Sequence, residues 1–327
     1  MAAKSCRHCH HPTLSAESQY TIVELQSGAR TVRSLLEAET FHPVIGPAAE
    51  AEALYVRQLV LAERVRNAAG EFIIWDVGLG AGANALTAIK SIGGQLEEPK
   101  HVRLISFDQT TAALAFALKH AAELDYISGY AEPIESLLED AFVEFQSGNL
   151  SVKWQLCNGD FPALLNSGRA GRSRSREAPE SVRHPGADLG KTMDIPPPHA
   201  ILFDPHSPQK NPAMWTLPLF SALFLALDPQ RPCALANYTR STLARMAMLL
   251  GGFFVGVGHA TGFKEETTVA ANALELIAEP LDRRWFDRAL RSHSAEPLRE
   301  AVYTCAPLTP ETIEKLRAHP QFRLESS

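Results

Sequence analysis

Short apolar runs alternate with longer stretches of helical period along most of this chain. Phe72 to Trp75, Val102 to Phe107, Val152 to Leu156, His199 to Phe203 and Pro232 to Tyr238 are the runs. Short, largely apolar segments of this length, bounded by turn residues, predict strands. Between them, Ala83 to Ile92, Thr110 to Leu124, Pro133 to Phe145, Leu217 to Leu227 and Ser241 to Leu250 read as helices. Phe253 to Val257 and Thr267 to Ala271 read as a last pair of extended segments. Strand followed by helix, repeated, predicts an α/β fold with a doubly wound sheet.

The flanks read differently. Tyr20 to Leu25 alternates weakly before the turn signal Gln26-Ser27-Gly28, as a small hairpin does. Ala48 to Arg64 reads as a helix, with Pro47 at its first position and Glu50 and Glu52 in its first turns. His42, just ahead of it, is by itself most simply a structural histidine. Asp282 to Arg291 reads as another helix, and Thr309-Pro310-Glu311-Thr312 starts a further one with a cap and a proline. Asn166 to His199 breaks the pattern. It carries Arg169, Arg172, Arg174, Arg176 and Arg183 with few apolar residues, and reads as a flexible insertion between the third and fourth strands. A solvated linker and an arm for RNA phosphates both fit that composition. The expected organisation is a flexible tail at 1–17, an N-terminal layer at 18–70, the sheet domain at 71–274 with the insertion at 166–199, and a helical extension at 275–327.

Composition narrows the class. A net charge of -6 over 327 residues excludes a globally basic nucleic-acid binder, so any RNA contact must use local patches. No apolar run approaches the roughly 20 residues of a membrane span, and the first residues carry no segment of signal-peptide type. Five cysteines, an odd number, suit a reduced cytoplasmic setting. Cys6 and Cys9 lie beside His8, His10 and His11, but no second such pair follows. The cluster therefore reads as a tail with adventitious metal affinity, and no metal is expected.

The candidate chemistry begins at FIIWDVGLGAGANAL, Phe72 to Leu86. This is a strand, then Gly78, Gly80 and Gly82 at every second position, then a helix start. Glycines there admit left-handed backbone angles and a close ligand, and the helix start offers free N–H groups. Gly78, Gly80 and Ala83 satisfy a dinucleotide pattern; Asp76 with the three glycines satisfies that of a nucleoside cofactor without pyrophosphate. Asp108 ends the second strand, where an acid can hold a ribose diol in either case. After the fourth strand comes Asp204-Pro205-His206-Ser207-Pro208-Gln209-Lys210-Asn211-Pro212-Ala213-Met214-Trp215. Its prolines fix a non-helical path past a strand's carboxyl end, where ligands sit in open α/β sheets. Asp204, Lys210 and Asn211 are the polar groups on that loop.

Asp204, Pro208, Lys210, Asn211, Pro212, Met214 and Trp215 match a loop of the form D-G-F-A-P-x-K-N-P-x-M-W. Gly78, Gly80, Gly82 and Asn84 match L-G-F-G-T-G-x-N. Phe41-His42, Gly46 and Glu50 or Glu52, and later Gly262-Phe263-Lys264-Glu265-Glu266, look like two further segments of the same kind. From Tyr20 to Ala271 the chain thus resembles the methyltransferase half of the bifunctional bacterial tRNA wobble-uridine enzyme MnmC and its stand-alone relatives. The resemblance implies a Rossmann-like seven-stranded fold with the last strand antiparallel, and S-adenosyl-L-methionine (SAM) as cofactor. It implies N-methylation of 5-aminomethyl(-2-thio)uridine in tRNA, with a separate FAD-dependent oxidase preparing the amine. By the same resemblance Asp76, Gly78, Gly80, Gly82, Asn84, Asp108 and Asp160 would hold the cofactor. Asp204, Lys210 and Asn211 would serve catalysis, and His42, His206 and Trp215 the substrate. Pro205-His206-Ser207 replaces the family's Gly-Phe-Ala where the amine arrives. Methylation of another amine or of a protein, and SAM binding without catalysis, are therefore the alternative expectations.

Overall fold

The computed structural model describes residues 19–166, 195–261 and 265–323. The tail with its Cys6 and Cys9 cluster, the five arginines of the insertion, and Gly262, Phe263 and Lys264 lie outside the described residues.

Eight strands form the main sheet: β4 (Phe72–Val77), β5 (Lys100–Asp108), β6 (Phe142–Ser147), β7 (Leu150–Asn158), β8 (Ala200–Phe203), β9 (Ala234–Asn237), β10 (Phe254–Gly258) and β11 (Thr267–Ala271). Their order is β10-β11-β9-β8-β4-β5-β7-β6. β7, β5, β4, β8 and β9 run parallel, and β11 enters antiparallel to β9. The order reverses between β4 and β8, so a crevice opens at their carboxyl ends. Side chains on β4 alternate between the two faces. Phe72 and Ile74 join the core beneath the helices at 83–95, 112–119 and 131–140. Ile73 and Trp75 join the core beneath those at 217–226 and 242–250.

One more strand is present than the seven expected. The helix expected over Pro133 to Phe145 stops at Asp140, because Ala141 adopts a left-handed φ of 56°. β6 then pairs antiparallel with β7 across Gly148-Asn149, with Ser147 opposite Leu150. Gly148 takes a φ of 61°, as a two-residue hairpin turn requires. The alternation of Phe142 to Ser147 was the overlooked signal, and those residues alternate between exposed and half-buried along an edge strand.

A second correction concerns Ala48 to Arg64. The helix Pro47–Ala51 widens into a π-helical stretch, Glu52–Arg57, breaks at Val60 (φ 50°), and resumes at Leu61–Arg66. Such widened turns are rare and occur often at functional sites. This one puts Tyr55 wholly inside the protein. Ahead of it, β1 (Tyr20–Glu24), β2 (Arg30–Ser34) and β3 (Glu39–Thr40) form a separate antiparallel sheet.

The last segment packs into the same core as the sheet. Leu281, Trp285, Phe286, Leu298, Leu316 and Phe322 all belong to it. The buried Gln321 amide accepts from Val255 N and donates to Val255 O and Leu281 O, each at 2.8 Å. The outer edge of β10 is thereby covered, and an open edge would otherwise invite pairing with other chains.

Candidate functional site

The glycine turn joins β4 to the helix Ala83–Gln95. Gly78, Gly80 and Gly82 have φ of 92°, 52° and 81°. Any side chain is strained at such angles, but the three differ in what surrounds them. A Cβ on Gly78 would lie 2.6 Å from the Asp204 carbonyl oxygen, so the turn and the loop after β8 meet backbone to backbone. On Gly82 it would lie 2.9 Å from Leu114. On Gly80 it would find only the Phe41 ring, at 3.5 Å. Asp108 closes the turn from β5: its Oδ2 accepts from Gly80 N at 2.9 Å and its Oδ1 from Thr110 N at 3.2 Å. Burial raises its pKa, and these N–H groups pull it back. Asp108 thus shapes the turn, a job that its place in the sequence did not reveal.

Asp76 lies directly beneath and is fully buried. Its Oδ2 accepts from Ser106 Oγ at 2.8 Å, and Ser106 Oγ accepts from Trp154 Nε1 at 2.9 Å. Burial pushes the carboxyl up to about 7, against the Ser106 hydrogen bond; Asp204 and Asp108 add to the rise. Asp76 Oδ1, Tyr55 OH, Asn84 Oδ1 and Thr87 Oγ1 are buried with no hydrogen-bond partner among the described residues. Burial pushes the Tyr55 hydroxyl well above its usual range, and Asp204 and Asp76 both act on it. Each unsatisfied buried polar atom costs about 1–3 kcal/mol. Buried polar atoms without partners suit a ligand rich in hydroxyl and amino groups.

The loop after β8 begins at Asp204, whose N–H donates to Val77 O at 2.8 Å. Asn84 Nδ2 donates to Asp204 Oδ2 at 2.6 Å, and His42 Nε2 lies 3.8 Å from the same oxygen. His42 itself takes a left-handed φ of 47°, an uncommon backbone state outside glycine. Tyr238 OH donates to Pro205 O at 2.9 Å, and Trp215 Nε1 to His206 O at 2.8 Å. From β3, Glu39 Oε2 accepts from His206 Nδ1 at 2.9 Å and Glu39 Oε1 from Ser207 Oγ at 3.2 Å.

The structure therefore brings Asp204, Asn84, His42, Asp76 and the glycines together, and seats His206 beside Phe41, ring centroids 6.1 Å apart. Four further expected residues are Trp215, Lys210, Asn211 and Asp160. Trp215 is wholly buried against Phe203 and Tyr238, so it fixes the loop from behind. Lys210 is exposed, and its side chain makes no hydrogen bond or ion pair among the described residues. Its N–H and that of Asn211 both donate to Ser207 O, and Asn211 leads into the turn Pro212–Trp215. Asp160 is exposed past β7; its Oδ1 accepts from Gln109 Nε2 and its Oδ2 from Ala163 N, both at 3.2 Å. Glu39, Tyr55, Ser106 and Tyr238 went unnoticed in the sequence. No motif marks them, and their partners lie far away along the chain. Among the described residues no three His, Cys, Asp or Glu side chains are grouped to hold a metal, and no helix is long and apolar enough to cross a membrane.

Residues 191–273 match a family model described as an S-adenosyl-L-methionine-dependent methyltransferase. Among curated protein sequences none matches the chain. Among solved structures, MNMC2 from Aquifex aeolicus is similar at 23% identity, over 94% of this chain and 86% of that one, with a TM-score of 0.60. A SAM-dependent methyltransferase from Agrobacterium tumefaciens is 12% identical over 77% of this chain and 69% of that one, with a TM-score of 0.37. By its fold and the matched segment, the chain is of the SAM-dependent methyltransferase type, and SAM is the cofactor of that type. The residues fit such a group. At Gly80 a Cβ would meet only the Phe41 ring, at contact distance, and the buried oxygens of Asp76, Tyr55, Asn84 and Thr87, without partners among the described residues, suit the hydroxyl and amino groups of such a ligand.

Proposed function

We propose that this chain methylates an amine nitrogen, that of 5-aminomethyl(-2-thio)uridine at the tRNA wobble position. One observation carries the reading: the Asp204 carboxylate stands at the crevice, gripped at 2.6 Å by Asn84 from the glycine-turn helix. When bound, SAM supplies a methyl group already activated on a sulfonium. The protein then has to hold the acceptor in line and steady the positive charge that grows on its nitrogen. Asp204 would accept a hydrogen bond from that nitrogen and oppose its charge, with Asn84 and His42 fixing the carboxylate. An ordinary carboxylate is too acidic to serve as a strong base for an amine.

The glycine turn and Asp76 would hold the cofactor. Asp108 and Asp160 would address its ribose and adenine. Lys210 and Asn211, aligned on the loop's outer turn, would serve either its shape or the incoming tRNA. The match of the Asp204 to Trp215 segment to the wobble-uridine family favours tRNA, in a cytoplasmic setting, with a separate FAD-dependent oxidase providing the amine. Pro205-His206-Ser207 favours the second reading, a different amine or a protein, because these residues depart from the family where the acceptor enters.

Incubating the purified protein with SAM and tRNA bearing 5-aminomethyl-2-thiouridine tests the proposal. Chromatography of the digested nucleosides should show the methylaminomethyl product. Retention of the unmethylated nucleoside, with SAM bound, would turn the assignment to the second reading.

A further inference from the structure

Glu39 reaches the site from the small N-terminal sheet and uses both carboxylate oxygens on the loop after β8. One takes His206 Nδ1 at 2.9 Å, the other Ser207 Oγ at 3.2 Å. An ionised carboxylate only accepts hydrogen bonds, so Nδ1 must carry the proton. In the neutral ring the lone pair then resides on Nε2. Nε2 has no partner among the described residues. The main chain of His206 is held as well, through its carbonyl and Trp215. Both atoms that would let the ring turn away are therefore tied, and the one basic atom is left available. The ring lies beside Phe41, which faces Gly80 of the glycine turn.

The geometry points to Glu39 and His206 as a proton-accepting pair that deprotonates the acceptor amine before methyl transfer. This rests on the proposed amine substrate. At neutral pH a primary amine arrives as an ammonium ion, which has no lone pair to attack with. His206 Nε2 takes one of its protons. The N–H bond breaks, its electron pair stays on the amine, and an Nε2–H bond forms on an imidazolium. The charge passes from the amine to the ring and is stabilised by Glu39. His206 is the catalytic residue here and Glu39 the positioning residue. The division of labour with Asp204 follows: Asp204 opposes charge on the reacting nitrogen, while His206 removes the proton that blocks it.

Glu39 opposes the charge that the ring gains when it takes the proton. Glu39→Gln should thus lower kcat by about ten- to a hundredfold. The loss should fall on kcat, with KM for the acceptor within a few fold, and Glu39→Asp should restore part of it. SAM affinity, by calorimetry, should stay within a few fold. A loop that merely collapses would raise KM for the acceptor as well.

A second readout needs neither substrate nor variant activity. The imidazole nitrogen NMR resonances of His206, assigned by their loss in His206→Gln, should report the Nδ1–H tautomer in the native protein at mildly alkaline pH. An Nε2–H tautomer there, or a Glu39→Gln enzyme with an unchanged kcat, overturns the pair. A native protein that shows the Nδ1–H tautomer yet leaves aminomethyl-uridine tRNA untouched would keep the pair and reject the tRNA substrate.

Discussion

Two backbone segments touch where Gly78 meets Asp204, and they are built in opposite ways. The turn after β4 is made of glycines. Its shape comes from left-handed angles at every second residue, and Asp108 of the neighbouring strand ties it through backbone N–H groups. The loop after β8 is made of prolines and held by side chains from remote parts of the chain: Glu39 from β3, Asn84 from a helix, Tyr238 from the end of β9. The first is a local device that any nucleoside cofactor could use. The second is specific, because its form depends on several elements arriving together. Changes in the turn should therefore act on folding and cofactor affinity, and changes in the loop on turnover.

The largest effect is expected from Asp204→Asn, which keeps the shape and removes the charge. SAM affinity by calorimetry should stay within a few fold, while methyl transfer falls by about 10²–10³, the usual loss for one preorganised electrostatic partner. A fully active variant would remove Asp204 from the chemistry and leave the loop a scaffold.

Asp76 gives the next effect, on stability. The folded protein holds its proton up to about pH 7, whereas the unfolded chain releases it near 3.8. The folded state binds more protons in between, so stability is full below that window and falls as pH rises through it. The upper limit is about 4 kcal/mol, from roughly three units at 1.36 kcal/mol each. Urea unfolding of the protein without cofactor should show this decline, and Asp76→Asn should flatten it. Equal slopes in the two proteins would mean that Asp76 is already ionised in the fold.

The glycines sharpen the contrast within the turn. Gly78→Ala drives a Cβ against the Asp204 backbone and should cost about 2–4 kcal/mol of stability, from overpacking and left-handed strain together. Gly80→Ala meets ordinary contact with Phe41 and should cost only about 1–2 kcal/mol, while lowering SAM affinity because it lies on the turn proposed to hold the cofactor. A reversal of that order in urea midpoints would mean that the turn and the loop do not meet as described.

Asp108→Ala should weaken SAM binding by about 1–3 kcal/mol through loss of a charge-assisted hydrogen bond. Because Asp108 also holds Gly80 N, part of that loss should appear as lower stability of the free protein.

The same contrast explains what the sequence disclosed. The strand, glycine turn and helix follow one another within a few residues, so periodicity and glycine spacing sufficed to locate Asp76, Gly78, Gly80, Gly82 and Asp108. The proline-rich loop was recognisable too, as a fixed path after a strand. Its supports were not. Glu39 and His206 are separated by 167 positions, and nothing near Glu39 marks it as functional. The π-helical stretch that buries Tyr55 has the apolar spacing of an ordinary helix, and only its packing against the sheet reveals the widened turns. β6 is hidden for the opposite reason: a helix signal runs into it, and only the short Gly148-Asn149 turn separates it from β7.

The central claim, an amine methyltransferase acting on wobble uridine, is tested most directly by mass-spectrometric nucleoside analysis of tRNA from cells lacking this protein. Accumulation of 5-aminomethyl-2-thiouridine, with loss of its methylated form, is the expected result. An unchanged nucleoside profile would contradict it.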